Sequence, residues 1–271
     1  MKIDTRLLTS LLKRTQRQQC VGGKPQNQVT ACVLNVASDR VVVTSLVRDG
    51  KTSLSKFIIP AESKGGIALP LPDIDRVLGV LSSHSSPVSI QHKDDRLIFK
   101  SGKKTTRLTA SFNGLAFPHS SDTVTAWQDK SLDLASRFEF DSEHFIGYRM
   151  ADKSVRQPFF NWTVDANELF EALRCDSMNG QKLNRYTFAT ENGRVRIGVG
   201  EEMKGFTFTD FDGDETIEAF EWTFEGGLDN VLSGIGGNID LHFLDFRKEN
   251  QGVRMIINLG ERGWVYQAGV L

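Results

Sequence analysis

The residues with the clearest outline of a chemical site are acidic. Asp210-Phe-Asp-Gly-Asp214, with Glu221 at the twelfth position, has the shape of a calcium loop. Its sixth position is Glu215, where the sharp turn of such a loop needs glycine, and no helical pattern brackets it. The segment reads as a solvated acidic turn. His84, His92, His119, His144 and His242 show no metal-ligand spacing, and Cys20, Cys32 and Cys175 lie too far apart for a CxxC site. Gly234-Ile-Gly-Gly237 fits no phosphate loop and reads as helix punctuation, while Asn161-Trp-Thr163 is a glycosylation triplet only in form. No nucleophile elbow, P-loop, HExxH or GxGxxG is present. The sequence therefore assigns no catalytic residue, no metal and no cofactor.

The chemistry that remains is electrostatic. The formal net charge is only -1, from 33 Lys+Arg against 34 Asp+Glu, but the charges are segregated. Between residues 2 and 24, Lys2, Arg6, Lys13, Arg14, Arg17 and Lys24 stand against Asp4 alone. Between residues 210 and 229 stand Asp210, Asp212, Asp214, Glu215, Glu218, Glu221, Glu225 and Asp229 with no base. Such separation suits one face that meets a polyanion and another that repels it.

The elements that must carry these charges repeat. Four segments have apolar residues at i, i+3, i+4 and i+7, or close to it, the stripe of an amphipathic helix. They are Leu8, Leu11, Leu12 and Thr15; Ile74, Val77, Leu78 and Leu81; Ala166, Leu169, Phe170 and Leu173; and Leu228, Val231, Leu232 and Ile235. A short strand-like stretch precedes each, and about three alternating strand patterns follow each. The Asn192-Gly193 pair marks a tight hairpin. The spacing predicts an α+β fold of two similar domains, each built from two βαβββ units. Helix-to-helix offsets of 66, 92 and 62 residues (Leu8 to Ile74, to Ala166, to Leu228) place the long gap in the middle. The expected division is residues 1–111, a connector 112–158 with some structure of its own, and residues 159–271.

A chain of 271 residues with 39% hydrophobic and 25% charged content can bury two ordinary cores. It is too apolar for disorder and lacks the run of about 20 apolar residues that a membrane span needs. The absence of an apolar segment at the start and the odd, scattered cysteines lead to the expectation of a protein of the reducing cytoplasm.

Paired βαβββ units in duplicate domains resemble the DNA polymerase sliding clamps. Val21-Gly-Gly-Lys-Pro25 is similar to the glycine-glycine-basic-proline loop of the bacterial clamp, Val88–Leu108 to its three-strand run, and Phe117-Pro118 to its domain end. Two domains rather than three departs from the bacterial pattern. A ring of six domains then requires three chains, so the resemblance implies a homotrimeric, non-enzymatic processivity factor of DNA replication. It also implies sequence-independent contact of helix-borne cations with duplex DNA, through Lys13, Arg14, Arg17, Lys24, Arg76 and Arg174. The fourth helix adds no base, and Glu168 and Glu171 dilute the third. DNA polymerase and clamp loader would dock short peptides at Thr44, Leu46, Pro118, Tyr266, Val270 and Leu271. Subunits would meet through Lys104, Arg107, Phe206 and Phe208. The alternatives are a processivity subunit of the same fold that forms no ring, and a β-rich structural protein that does not touch DNA.

Overall fold

The computed structural model of the chain describes residues 1–21, 24–27, 29–46, 53–71, 73–93, 96–109, 121–174, 185–201, 205–213 and 218–270. They form two compact units. Unit 1 comprises Met1–Gln16, Val29–Ser136 and Glu261–Gly263; unit 2 comprises Arg17–Gln28, Arg137–Gly260 and Trp264–Leu271.

The chain begins with β1 (Lys2–Ile3) and α1 (Thr5–Gln16). Asp4 starts the helix: its Oδ1 accepts from the N–H groups of Arg6 and Leu7 at 2.8 and 2.9 Å, satisfying donors that have no partner within the helix. The expected stripe of Leu8, Leu11, Leu12 and Thr15 is buried. A hairpin of β2 (Gln18–Val21) and β3 (Lys24–Asn27) follows and groups with unit 2. Unit 1 continues with β4 (Ala31–Val36), β5 (Arg40–Leu46), β6 (Ser53–Pro60), β7 (Ile67–Leu71), α2 (Ile74–Ser82), β8 (Val88–Lys93), β9 (Arg96–Ser101) and β10 (Lys104–Thr109). Asp73 caps α2, accepting from the Arg76 N–H at 3.0 Å.

Two antiparallel sheets result, β1-β8-β9-β10 and β6-β5-β4-β7. Each βαβββ unit thus places its first strand in the other unit's sheet. Alternation turns Leu97, Phe99, Val88 and Ile90 inward, where they are almost fully buried, as are the helix residues Leu8, Leu12, Val77 and Leu81. Burying each such side chain contributes about 1.5–3 kcal/mol.

The expected connector divides between the units. Its helix α3 (Ser121–Ala135) belongs to unit 1, where Trp127 joins Ala31, Val33 and Leu46 in one buried cluster. Its strands β11 (Phe138–Asp141), β12 (His144–Arg149) and β13 (Val155–Arg156) form a three-stranded meander in unit 2. Residues 112–120 lie outside the described part. Among the described residues no helix is long and apolar enough to cross a membrane.

Unit 2 repeats the plan with β14 (Phe160–Asp165), α4 (Ala166–Arg174), β15 (Arg185–Glu191), β16 (Arg194–Glu201), β17 (Gly205–Asp212), β18 (Glu221–Glu225), α5 (Leu228–Leu232), β19 (Asn238–Asp245), β20 (Val253–Asn258) and β21 (Gly263–Ala268). Here β14 pairs with β19 and β18 with β15, the same exchange of first strands. Asn192 and Gly193 both take positive φ, +52° and +72°, as a two-residue hairpin of this type requires. Helix α5 is shorter than its apolar stripe. Gly234, at φ +70°, lies just beyond it, and Ile235 is buried past the helix end.

The core of unit 2 is aromatic. The Phe243 ring lies 5.4–6.2 Å from those of Phe160, Phe188, Phe220, Trp222 and Phe224. Phe243→Ala should lower the stability of unit 2 by about 3–5 kcal/mol in chemical denaturation. A loss below about 1 kcal/mol would show that these rings repack without it.

Candidate nucleic-acid and partner interfaces

The helix-borne cations separate into distinct environments. Lys13 on α1 and Arg76 on the first turn of α2 are exposed, as is Arg6, which the sequence reading left out of the set. Arg14 is half-buried, and burial followed by the neighbouring charge of Arg262 pulls its pKa down. Arg174 lies 4.9 Å over the Phe170 ring and 3.9 Å from Glu171, so part of its charge is already answered. Lys24 sits on β3, with its side chain outside the described part. Acids share the helix faces: Asp75 on α2 and Glu168 on α4 stand in first turns.

Arg17 does not belong with them. It takes the left-handed conformation at φ +49° immediately after α1, a position that glycine usually occupies. The turn sends its side chain inward to 1% exposure. Nη2 donates to the Gly226 carbonyl at 3.0 Å, while Nε and Nη1 have no hydrogen-bond partner. Burial brings its pKa down to about 10, opposed by the nearby Tyr186 and Asp229. The Tyr186 hydroxyl in turn donates to Asp229 Oδ1 at 3.1 Å. A guanidinium in this position cannot reach a phosphate. It is a buried cation of unit 2.

The expected peptide pocket also changes character. Leu46 is 3% exposed beneath Trp127 and Tyr266 is 1% exposed, its ring 5.4 Å from Phe138; both are core residues. Thr44 on β5 and Val270 near the end of the chain remain half-exposed, in unit 1 and unit 2 respectively. Pro118 and Leu271 lie outside the described residues.

The expected subunit contacts lie at open sheet edges. β10 ends the sheet β1-β8-β9-β10, and β17 ends the sheet β17-β16-β15-β18. Arg107 is exposed on β10, whereas Lys104 Nζ donates to the Ser83 carbonyl at 2.7 Å. Phe208 on β17 is 59% exposed, with the Arg196 guanidinium 5.8 Å from its ring. Phe208 flanks a concavity of about 500 Å³ whose lining includes Gly198, Ala189, Thr187 and Phe220. The side chain of Phe206 is not described. Among the described residues no cluster of three or more His, Cys, Asp or Glu is arranged to hold a metal.

Arg17→Ala should lower thermal stability by about 3 kcal/mol or more, because it leaves a large cavity and a buried Gly226 carbonyl without its donor. Duplex DNA affinity and its salt dependence, measured by fluorescence anisotropy, should stay at wild-type values. Weakened DNA binding with stability intact would return Arg17 to the DNA-lining set.

No protein-family model matches the sequence, and no curated protein sequence does. Solved structures do match over the whole chain. The DNA polymerase sliding clamp of Bacillus subtilis aligns with a TM-score of 0.62 at 14% identity, over 100% of this chain and 64% of that one. Caulobacter crescentus pol III beta aligns at 0.59 and 15% identity, over 100% and 66%. The Helicobacter pylori beta clamp, solved with a DNA ligase peptide, aligns at 0.59 and 14% identity, over 100% and 66%. The chain thus spans just under two thirds of the length of the clamps it matches. The βαβββ repeats, the exchanged first strands and these alignments agree: the chain has the fold of the DNA polymerase sliding clamps.

Proposed function

We propose that the protein is a processivity factor, a non-enzymatic clamp that closes into a ring of three chains around duplex DNA and tethers a polymerase. The observation that carries this reading is the four-unit plan with open edges at β10 and β17. An unpaired edge strand is a template for another chain. A heterologous contact between β10 of one copy and β17 of the next closes if the rotation per subunit allows it. Three copies supply the six domains that the clamp resemblance implies.

The exposed cations Lys13 and Arg76, with Arg6, support contact between helices and DNA through phosphate charge rather than base edges. Their small number suits a protein that slides. Recruitment of polymerase and loader by short peptides is supported by the Helicobacter pylori clamp, whose structure holds a ligase peptide. In this chain the half-exposed Thr44 and Val270 are the described residues open to such a role.

Light scattering tests the assembly. The wild-type chain should run at three times its own mass, and Phe208→Asp should reduce it to the monomer by placing a charge beside the β17 edge. A wild-type monomer retaining processivity would favour the non-ring subunit. Lys13→Gln/Arg76→Gln should shorten the residence of loaded clamp on circular duplex DNA without changing the mass. Unchanged residence would remove the helices from the DNA-contacting surface.

A further inference from the structure

The sheet β1-β8-β9-β10 has an unusual composition. Its strands read KI, VSIQHK, RLIFKS and KTTRLT, with no carboxylate in any of them. Antiparallel register places the charges on one face. Leu97, Phe99 and Leu108 point into unit 1, so Arg96, Ile98, Lys100 and Arg107 point away from it. Lys93 stands directly opposite Arg96, and Arg107 directly opposite Ile98. Lys93, Arg96 and Arg107 thereby converge around Ile98 and line a concavity of about 390 Å³.

Like charges directly opposed across a ladder destabilise it. Lys93 and Arg96 form such a pair, and neither they nor Arg107 make an ion pair with another described residue. Asp94 and Asp95, between β8 and β9 in the sequence, lie outside the described residues. A set of cations gathered in a hollow, with no ion-pair partner among the described residues, is relieved by an anion.

Two polyanions are available in principle, the acidic face of another copy and nucleic acid. Three acids of unit 2's sheet are engaged at home. Asp210 and Glu191 are held by Arg196 at 2.7 and 2.9 Å, and Glu225 by Arg185 at 2.9 Å. That favours nucleic acid. The face carries no aromatic ring for stacking bases, since Ile98 is its main apolar side chain, so a duplex backbone fits better than a splayed single strand. The charges lie on an open sheet face rather than on a helix or ribbon that enters a groove, so recognition is by charge alone.

We infer that the outer face of this sheet is a second, sequence-independent binding surface for the phosphate backbone of duplex DNA, separate from the helices. It shares its ligand with the proposed function but not its surface. A clamp with this face holds duplex outside as well as inside the ring. A monomer with this face holds DNA without any ring.

Fluorescence anisotropy of the full chain with a short linear duplex, across a salt series, tests the inference. Lys93→Gln/Arg96→Gln should weaken binding about tenfold or more at low salt and flatten the log–log salt slope by about two units. Circular dichroism checks that the fold persists. Lys100→Gln/Arg107→Gln, on the same face, gives a second reading should the first variant not fold. Wild-type affinity and slope in both variants would overturn the inference, whatever the helix variant Lys13→Gln/Arg76→Gln does to loaded DNA. A drop in light-scattering mass with an unchanged salt slope would also overturn it, and would assign the face to contact between copies.

Discussion

Every sheet built from the four βαβββ units depends on an exchange: the first strand of each unit pairs inside its partner's sheet. β1 lies against β8, β7 against β4, β14 against β19 and β18 against β15. No unit can satisfy its backbone alone, because a removed first strand would expose a row of N–H and C=O groups in the neighbour. The helices then have a fixed task. Each covers apolar side chains that alternation has turned to one side of the sheets, and each leaves most of its charged residues facing out. Chemistry on this scaffold is confined to what projects from helix faces, outer sheet faces and open edges.

Much of that scaffold is legible in the sequence, because two periods speak at once. The period of helices isolates α1, α2 and α4, and alternation sets β4 to β9 and β14 to β16 close to where they form. The signal fails where glycine intervenes. The apolar stripe of α5 runs to Ile235, but Gly234 and its positive φ stop the helix at Leu232. It fails again in the stretch 121–156, where α3 is only weakly amphipathic and β13 is two residues long. Segregation of that helix and those strands into different units has no local marker at all.

The sites were harder to read than the fold. A basic residue on a helical repeat says nothing about the backbone angle just past the helix end, and that angle decides Arg17. Its left-handed turn converts a presumed surface cation into a buried one, beside Tyr186 and Asp229. Leu46 and Tyr266 likewise look available on strands until Trp127 and Phe138 cover them. The cations of β8 to β10 carry one signal in the sequence: three consecutive strands without an acid. It becomes informative only once register shows Lys93 opposite Arg96 and Arg107 beside them.

The position of Trp127 has a spectroscopic consequence. It is the one tryptophan of unit 1, whereas Trp162, Trp222 and Trp264 all lie in unit 2. All four are at least nine-tenths buried. Trp127 sits on α3, which packs on β5, and its ring joins Ala31, Val33 and Leu46 in a buried cluster. Its emission therefore reports whether a single helix is docked, while the other three report an aromatic core. With Trp127 replaced by phenylalanine, the difference from wild type isolates unit 1, and the two halves of the chain can be watched separately as they melt.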